Sequence, residues 1–179
     1  DAGRLGGEHE LVVAVWDPSD DGPQPRGKQA RHASWPLRSI FYTPVSGIWQ
    51  TVWLELVPDT HLAALRLTPD GDSLEISARL ARACGGEQLR AVARRDGRAI
   101  AESVTDSLDT PLCLALPGAR RWSPSDPCLY DLTLEILRHG EVVDRATSYF
   151  GLRDVAIRRD ARGRLRFFLN DEPIFLHGL

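Results

Sequence analysis

The side chains most able to do chemistry are spread along the 179 residues rather than gathered. Asn170-Asp171-Glu172 sets two carboxylates side by side. Adjacent residues of a strand or turn point apart, so this pair cannot work on one bond, and no catalytic residue is assigned. The five histidines (His9, His32, His61, His139 and His177) show no spacing that would gather a metal ion or a general base. His139 beside Gly140 reads as a turn residue. Asp17, Asp20 and Asp21 crowd one loop but lack the ligand alternation and closing glutamate of a calcium loop, so they read as solvated. Cys84, Cys113 and Cys128 come without a C-x-x-C pair or paired histidines, which argues against zinc or a disulfide framework. No metal and no cofactor is expected. One stretch suits recognition: Arg26, Lys28 and Gln29 around Gly27 offer three long donors for a hydroxyl-rich ligand.

The elements that would position these groups follow a period of two, the mark of strands with one buried and one wet face. In residues 73–80, Leu74, Ile76, Ala78 and Leu80 alternate with Ser73, Glu75, Ser77 and Arg79. Residues 129–137 repeat this with Tyr130, Leu132, Leu134 and Ile136. Leu112, Leu114 and Leu116 give a shorter case, and Leu165, Phe167 and Leu169 another. Pro69-Asp70-Gly71, Asp96-Gly97, His139-Gly140 and Arg162-Gly163 lie between such runs and supply the φ > 0 positions of tight hairpins. From His61 to Arg153 the spacing predicts about seven strands, near 61–68, 73–82, 88–95, 98–105, 111–117, 128–138 and 141–152. Seven short strands with such turns predict an all-β, immunoglobulin-like β-sandwich. Residues 87–95 contain good helix formers, but Asp96-Gly97 and a further β-like run follow, so a strand is expected there.

Tyr130, following Asp126-Pro127, suits a tyrosine corner, with a plain buried tyrosine as the other reading. Cys128 falls two residues before it, whereas an antibody-type domain has its bridging cysteine two after. Alternation turns Cys113 away from the core and Cys84 sits at a strand end, so three free thiols are expected. The flanks differ in character. Leu11–Trp16 reads as a strand, followed by a polar loop and an aromatic block with Trp35, Phe41, Tyr42, Trp49 and Trp53 whose tryptophans, at strand spacing, are expected in a core. A last hairpin is expected at about 155–159 and 164–169. Its arginines, Arg158, Arg159, Arg162, Arg164 and Arg166, are diluted by Asp154 and Asp160 and read as a solvated face. The 22 basic and 25 acidic side chains leave a net charge of −3, which argues against nucleic-acid or anionic-membrane partners. No apolar run nears the roughly 20 residues that span a bilayer. The lack of methionine, with apolar residues running to Leu179, predicts an excised piece of a longer polypeptide, and the three cysteines without a disulfide framework fit a reducing, cytoplasmic setting.

Tyr42-Thr43-Pro44-Val45-Ser46-Gly47-Ile48-Trp49-Gln50-Thr51-Val52-Trp53-Leu54-Glu55 resembles the end of the sugar-binding jelly roll of glycoside hydrolase family two, which includes β-galactosidases, β-glucuronidases and β-mannosidases. Asp17-Pro18 and the run from Gln24 to Gln29 resemble the preceding loop. Trp122-Ser123-Pro124 with Pro127, Leu129 and Tyr130 is similar to the entry to the later strands of the family's immunoglobulin-like domain. Phe150-Gly151-Leu152-Arg153 and the run from Phe168 to Gly178 resemble its junction with the catalytic barrel.

The resemblance implies that residues 1–57 are the end of a truncated jelly roll, 58–153 the sandwich, and 154–179 a hairpin leading into a (β/α)₈ barrel. It implies a parent that hydrolyses O-glycosidic bonds with two glutamates on that barrel, the first in an Asn-Glu pair. No position here matches them, and Asp171-Glu172 falls on the family's hairpin. Carbohydrate would then be met through the parent enzyme, the barrel of the same polypeptide would be the sandwich's partner, and a homo-oligomer of the parent is compatible. Loops of the first domain can approach the active-site mouth in such enzymes, which keeps Arg26, Lys28 and Gln29 as substrate-binding candidates; the other reading is that they brace the jelly roll against the barrel. The alternative is an independent immunoglobulin-like carbohydrate-binding or adhesion module.

Overall fold

The computed structural model describes residues 8, 10–31 and 40–176. His9, His32, Trp35, residues 36–39 of the aromatic block, His177 and Gly178 lie outside the described residues. The chain forms two compact units, Asp1–Glu55 and Leu56–Leu179.

The second unit is all-β, with no helix among the described residues. Its strands are β1 (His61–Asp70), β2 (Ser73–Ala81), β3 (Glu87–Arg95), β4 (Arg98–Thr105), β5 (Leu112–Ala115), β6 (Tyr130–Arg138), β7 (Glu141–Phe150), β8 (Val155–Arg159), β9 (Leu165–Leu169) and β10 (Glu172–Pro173). The first seven make two antiparallel sheets, ordered β1-β2-β5 and β4-β3-β6-β7, and the last three a small sheet ordered β10-β9-β8. This is the seven-strand sandwich that the alternation predicts, and the terminal hairpin follows it. The stretch with helix-forming composition is the central strand β3. Its Ala91 and Ala93 pair with Leu134 and Leu132 of β6, and all four are buried. Small residues beside large ones suit a packed interior, so tertiary packing outweighs intrinsic preference at this place.

The core lies between the two sheets. Leu74, Ile76, Leu112 and Leu114 from one face Leu89, Leu132, Leu134 and Ile136 from the other. Each such side chain contributes about 1.5–3 kcal/mol when fully buried. Tight turns fix the register: Asp96 and Gly97 have φ of 51° and 76°, and His139 and Gly140 have 52° and 83°, the left-handed pair a two-residue hairpin requires. Tyr130 is buried, stacks on Phe150 with ring centroids 5.4 Å apart, and donates its hydroxyl to the Arg120 carbonyl at 3.0 Å. It is therefore a tyrosine corner and not merely a buried ring.

The outer face of the larger sheet carries a ladder of charge. Arg90 on β3 donates to Glu102 on β4 at 2.8 Å and to Glu135 on β6 at 3.2 Å, and Arg145 on β7 donates to Glu135 at 2.6 Å. Arg90, Glu135 and Arg145 are direct cross-strand partners, so alternation in strand order becomes alternation in sign.

In the first unit two expectations fail. Leu11–Trp16 is not a strand; its side chains are largely exposed, and the unit's only β-bridge among the described residues joins Gln29 to Tyr42. The described tryptophans of the aromatic block are not core either, with Trp49 and Trp53 at 87% and 70% exposure. Alternation says which side chains share a face, but burial needs a second layer, and none covers these side chains among the described residues of the unit.

The thiols of Cys84, Cys113 and Cys128 are free; the first two are exposed, and Cys128 is buried beside the tyrosine corner. Thiol titration under denaturing, non-reducing conditions should return all three per chain. Replacing Tyr130 by Phe should lower stability by about 1–3 kcal/mol, because the Arg120 carbonyl loses its partner. Urea unfolding should show a lower midpoint at unchanged slope.

Candidate functional site

The polar loop forms from the residues flanking one short bridge. Backbone bonds run from Tyr42 N to Lys28 O at 2.8 Å and from Ala30 N to Tyr42 O at 3.1 Å, clasping residues 28–30 against Tyr42. The Gln29 side chain faces the same stretch, its Oε1 accepting from Val45 N at 2.7 Å. Arg26 is exposed and reaches Asp20, while Lys28 is exposed. Arg31 binds Asp21 at 2.9 Å and donates its backbone N–H to Asp20, and Asp17 accepts from Ser19 N. The three aspartates are thus occupied with two arginines and with backbone groups.

Asp171 lies in a turn with φ of 70° and accepts from Arg158 at 2.6 Å, while Glu172 is exposed on β10. His61 contacts the Pro58 carbonyl through Nδ1, and His139 sits in its hairpin turn.

A second grouping went unread as such in the sequence. Three of the stretches that carry the resemblance, around Trp122, around Gly151 and around Asn170, meet at the base of the terminal hairpin. Trp122 N donates to Leu152 O at 2.7 Å, and Arg153 lies over the Trp122 ring at 5.5 Å. Gly151 permits this approach, since a Cβ there would stand 3.1 Å from Trp122 Cβ and 3.3 Å from Leu129 Cδ2. The Asn170 side chain donates to Trp122 O at 2.8 Å and accepts from Asp154 N at 3.1 Å. Arg121 binds Asp154 at 2.5 Å and Asp72 at 3.0 Å. The sequence shows three separate motifs and no spacing that joins them; their meeting depends on which strands pair.

Electrostatics decides what the carboxylates can do. Glu87 is buried at the start of β3, where its oxygens accept from Cys84 N and Gly85 N, each at 2.9 Å, and from Arg138 at 2.5 Å. Those donors, the Cys84 amide foremost, pull its pKa down from 4.5 to about 2. Arg138 also donates to Thr60, and its Nε is buried without a partner. Arg90 lowers the Glu102 pKa, Arg120 lowers that of Asp126, and the Arg164 amide lowers that of Asp160. These four groups are fixed anions near neutrality. They can anchor arginines and amides, but none can serve as the proton donor of an acid-catalysed step.

The sequence pattern that defines glycosyl hydrolases family 2 matches residues 60–153. A β-galactosidase of Thermoanaerobacter pseudethanolicus is 29% identical over 159 residues, covering 78% of this chain and 20% of that protein. One of Aeromonas hydrophila is 31% identical over 152 residues, covering 75% and 14%. The chain thus spans a fifth or less of the length of these curated relatives. Among solved structures, a β-glucuronidase from Ruminococcus gnavus in complex with D-glucuronic acid superposes with a TM-score of 0.53 at 20% identity, over 68% of this chain and 20% of that one. A glycosyl hydrolase family 2 member from Bacteroides cellulosilyticus gives 0.55 at 17% identity, over 68% and 19%. At these identities the superpositions establish the fold alone.

The Glu87 arrangement has a pH signature. A carboxylate whose pKa is depressed on folding adds stability above its unfolded value, and that contribution fades as pH falls through the folded one. Stability should therefore drop between pH 4.5 and about 2, and Glu87→Gln, weaker at neutrality, should show a flatter profile across that window in urea titrations.

Proposed function

The chain belongs to glycosyl hydrolases family 2, and we propose that it serves there as a non-catalytic module that supports and positions the rest of the enzyme. The observation that carries this reading is the coincidence of the matched stretch, 60–153, with a closed sandwich whose Glu87, Glu102 and Asp126 are held as anions by arginines and amides. Retaining glycoside hydrolysis needs one carboxyl kept protonated and a second roughly 5–5.5 Å away.

In this reading residues 1–57 close a jelly-roll sugar-binding domain, 58–153 form the sandwich and 154–179 lead into a (β/α)₈ catalytic barrel of the same polypeptide. The parent hydrolyses O-glycosidic bonds in the manner of a β-galactosidase, and carbohydrate reaches the module only through that parent. The two β-galactosidases that resemble the chain, at a fifth or less of their length, support this division of labour. Gln29 braces its own loop, as its bond to Val45 suggests, which leaves exposed Arg26 and Lys28 as the hydroxyl-recognising candidates. Three free thiols fit a reducing cytoplasm.

One observation favours a second reading. Exposed indoles at Trp16, Trp49 and Trp53 are what an independent carbohydrate-binding module would stack on sugar rings. Sugar affinity of the purified chain, lost when these are replaced by Ala, would favour that alternative.

The purified chain should not turn over chromogenic galactosides, glucuronides or mannosides. Turnover abolished by Asp171→Ala or Glu172→Ala would overturn the non-catalytic reading.

A further inference from the structure

The connection from β7 to β8 is residues 151–154, short and free of strand structure, and it would ordinarily act as a hinge. A hinge works when a few residues can change φ and ψ without losing partners. Here they cannot. Asp154 is the last residue before β8, and its three polar groups are all engaged. Its N–H donates to Asn170 Oδ1 at 3.1 Å, its carbonyl accepts from Asn170 N at 3.0 Å, and its carboxylate binds Arg121 at 2.5 Å. Gly151, the other natural pivot, is walled in by Trp122.

We propose that Asn170, supported by Arg121, clamps the β8–β9 hairpin to the sandwich so that the two turn as one body, and thereby sets the direction in which the polypeptide leaves the sandwich. The residue type is what the site requires. One amide side chain supplies an acceptor for Asp154 N and a donor for Trp122 O, two segments that lie 16 and 48 residues earlier in the chain. Aspartate would keep the acceptor and lose the donor. Asn170 also stands at φ 50°, a conformation asparagine tolerates better than most side chains. Arg121 carries the clamp across to the other sheet, since its second bond is to Asp72 in the β1–β2 turn. Asn170 is thus a positioning residue, and it acts on direction rather than on chemistry.

This inference deepens the reading of the chain as a positioning module and rests on it, yet it is tested on the chain itself. Residual dipolar couplings of the isotope-labelled chain in a weakly aligning medium report whether two parts share one orientation. For the unaltered protein, amides of β1–β7 and of β8–β9 should fit one alignment tensor. Asn170→Gly keeps the left-handed backbone and removes both side-chain bonds. It should give the hairpin a separate, weaker alignment and speed its amide exchange by roughly 5- to 150-fold, while exchange in β3 and β6 stays as it was. Arg121→Gln, which leaves Asn170 in place, should move both readouts the same way by less, and it carries the test if the glycine variant fails to fold. Two tensors for the unaltered protein would overturn the clamp. So would one tensor for the variants, or exchange that rises equally in β3, β6 and the hairpin. Glycosidase turnover by the isolated chain would remove the positioning reading while leaving the clamp standing, so the two failures are distinct.

Discussion

A phenol buried in an apolar interior must find a hydrogen-bond partner, and the one Tyr130 finds decides the course of the chain around it. Its bond to the Arg120 carbonyl holds the segment that crosses from β5 in the three-stranded sandwich sheet to β6 in the four-stranded one. Arg121 and Trp122 follow directly and inherit their positions from it. Trp122 then rests on Gly151, and Asn170 reaches the Trp122 carbonyl. The order of dependence runs from a core ring, through one loop, to the attachment of a separate hairpin. The stacking of Tyr130 on Phe150 reinforces it, because Phe150 ends β7 and its successor is the glycine against which Trp122 packs.

The charged groups follow a different logic from the core and serve the same end. An exposed ion pair contributes little, typically below about 1 kcal/mol. The ladder on the large sheet differs because Glu135 is buried at its centre and shared by two arginines from neighbouring strands. Slipping any of these strands by one residue would turn the ladder inward and strand a buried carboxylate, so it enforces register more than it adds stability. Glu87 does the same at the sheet's end, joining the loop after β2 to the last residue of β6. The acidic side chains with depressed pKa values are thereby committed to architecture.

Much of the sandwich is legible in the alternation because its strands set core side chains at every second position and its tight hairpin turns carry glycine. Strand ends are less so. The alternation runs on through Leu116 and Leu152, which are buried, although the sheets end at Ala115 and Phe150. There side chains remain in the core after the backbone has left the ladder. Residues 87–95 show how composition misleads, since the alanines that suggest a helix are the small residues of a crowded central strand. The first unit shows the opposite limit. Leu11–Trp16 and the aromatic block have the pattern of strands, but a strand exists only through its neighbour, and a pattern says nothing about whether a neighbour is there. For the candidate residues, composition picks out Arg26, Lys28 and Gln29 together, while the bond that sets Gln29 apart, to Val45, could not be foreseen from spacing.

The strand order has a consequence for how the molecule comes into being. β3 pairs with β4 through a turn of two residues, and β6 with β7 likewise, so each hairpin can form as soon as it is made. The ladder that joins these hairpins, β3 against β6, brings together residues as far apart as Glu87 and Arg138, 51 positions along the chain. Loop closure on that scale is slow relative to local pairing. On the ribosome, the apolar faces of β1 to β5 emerge before β6 exists to cover them, and the core cannot close until Tyr130 and the leucines behind it have cleared the exit tunnel. Until then the nascent chain is a client for whatever shields sticky strands, and its most vulnerable interval lies between the synthesis of β5 and the arrival of β6.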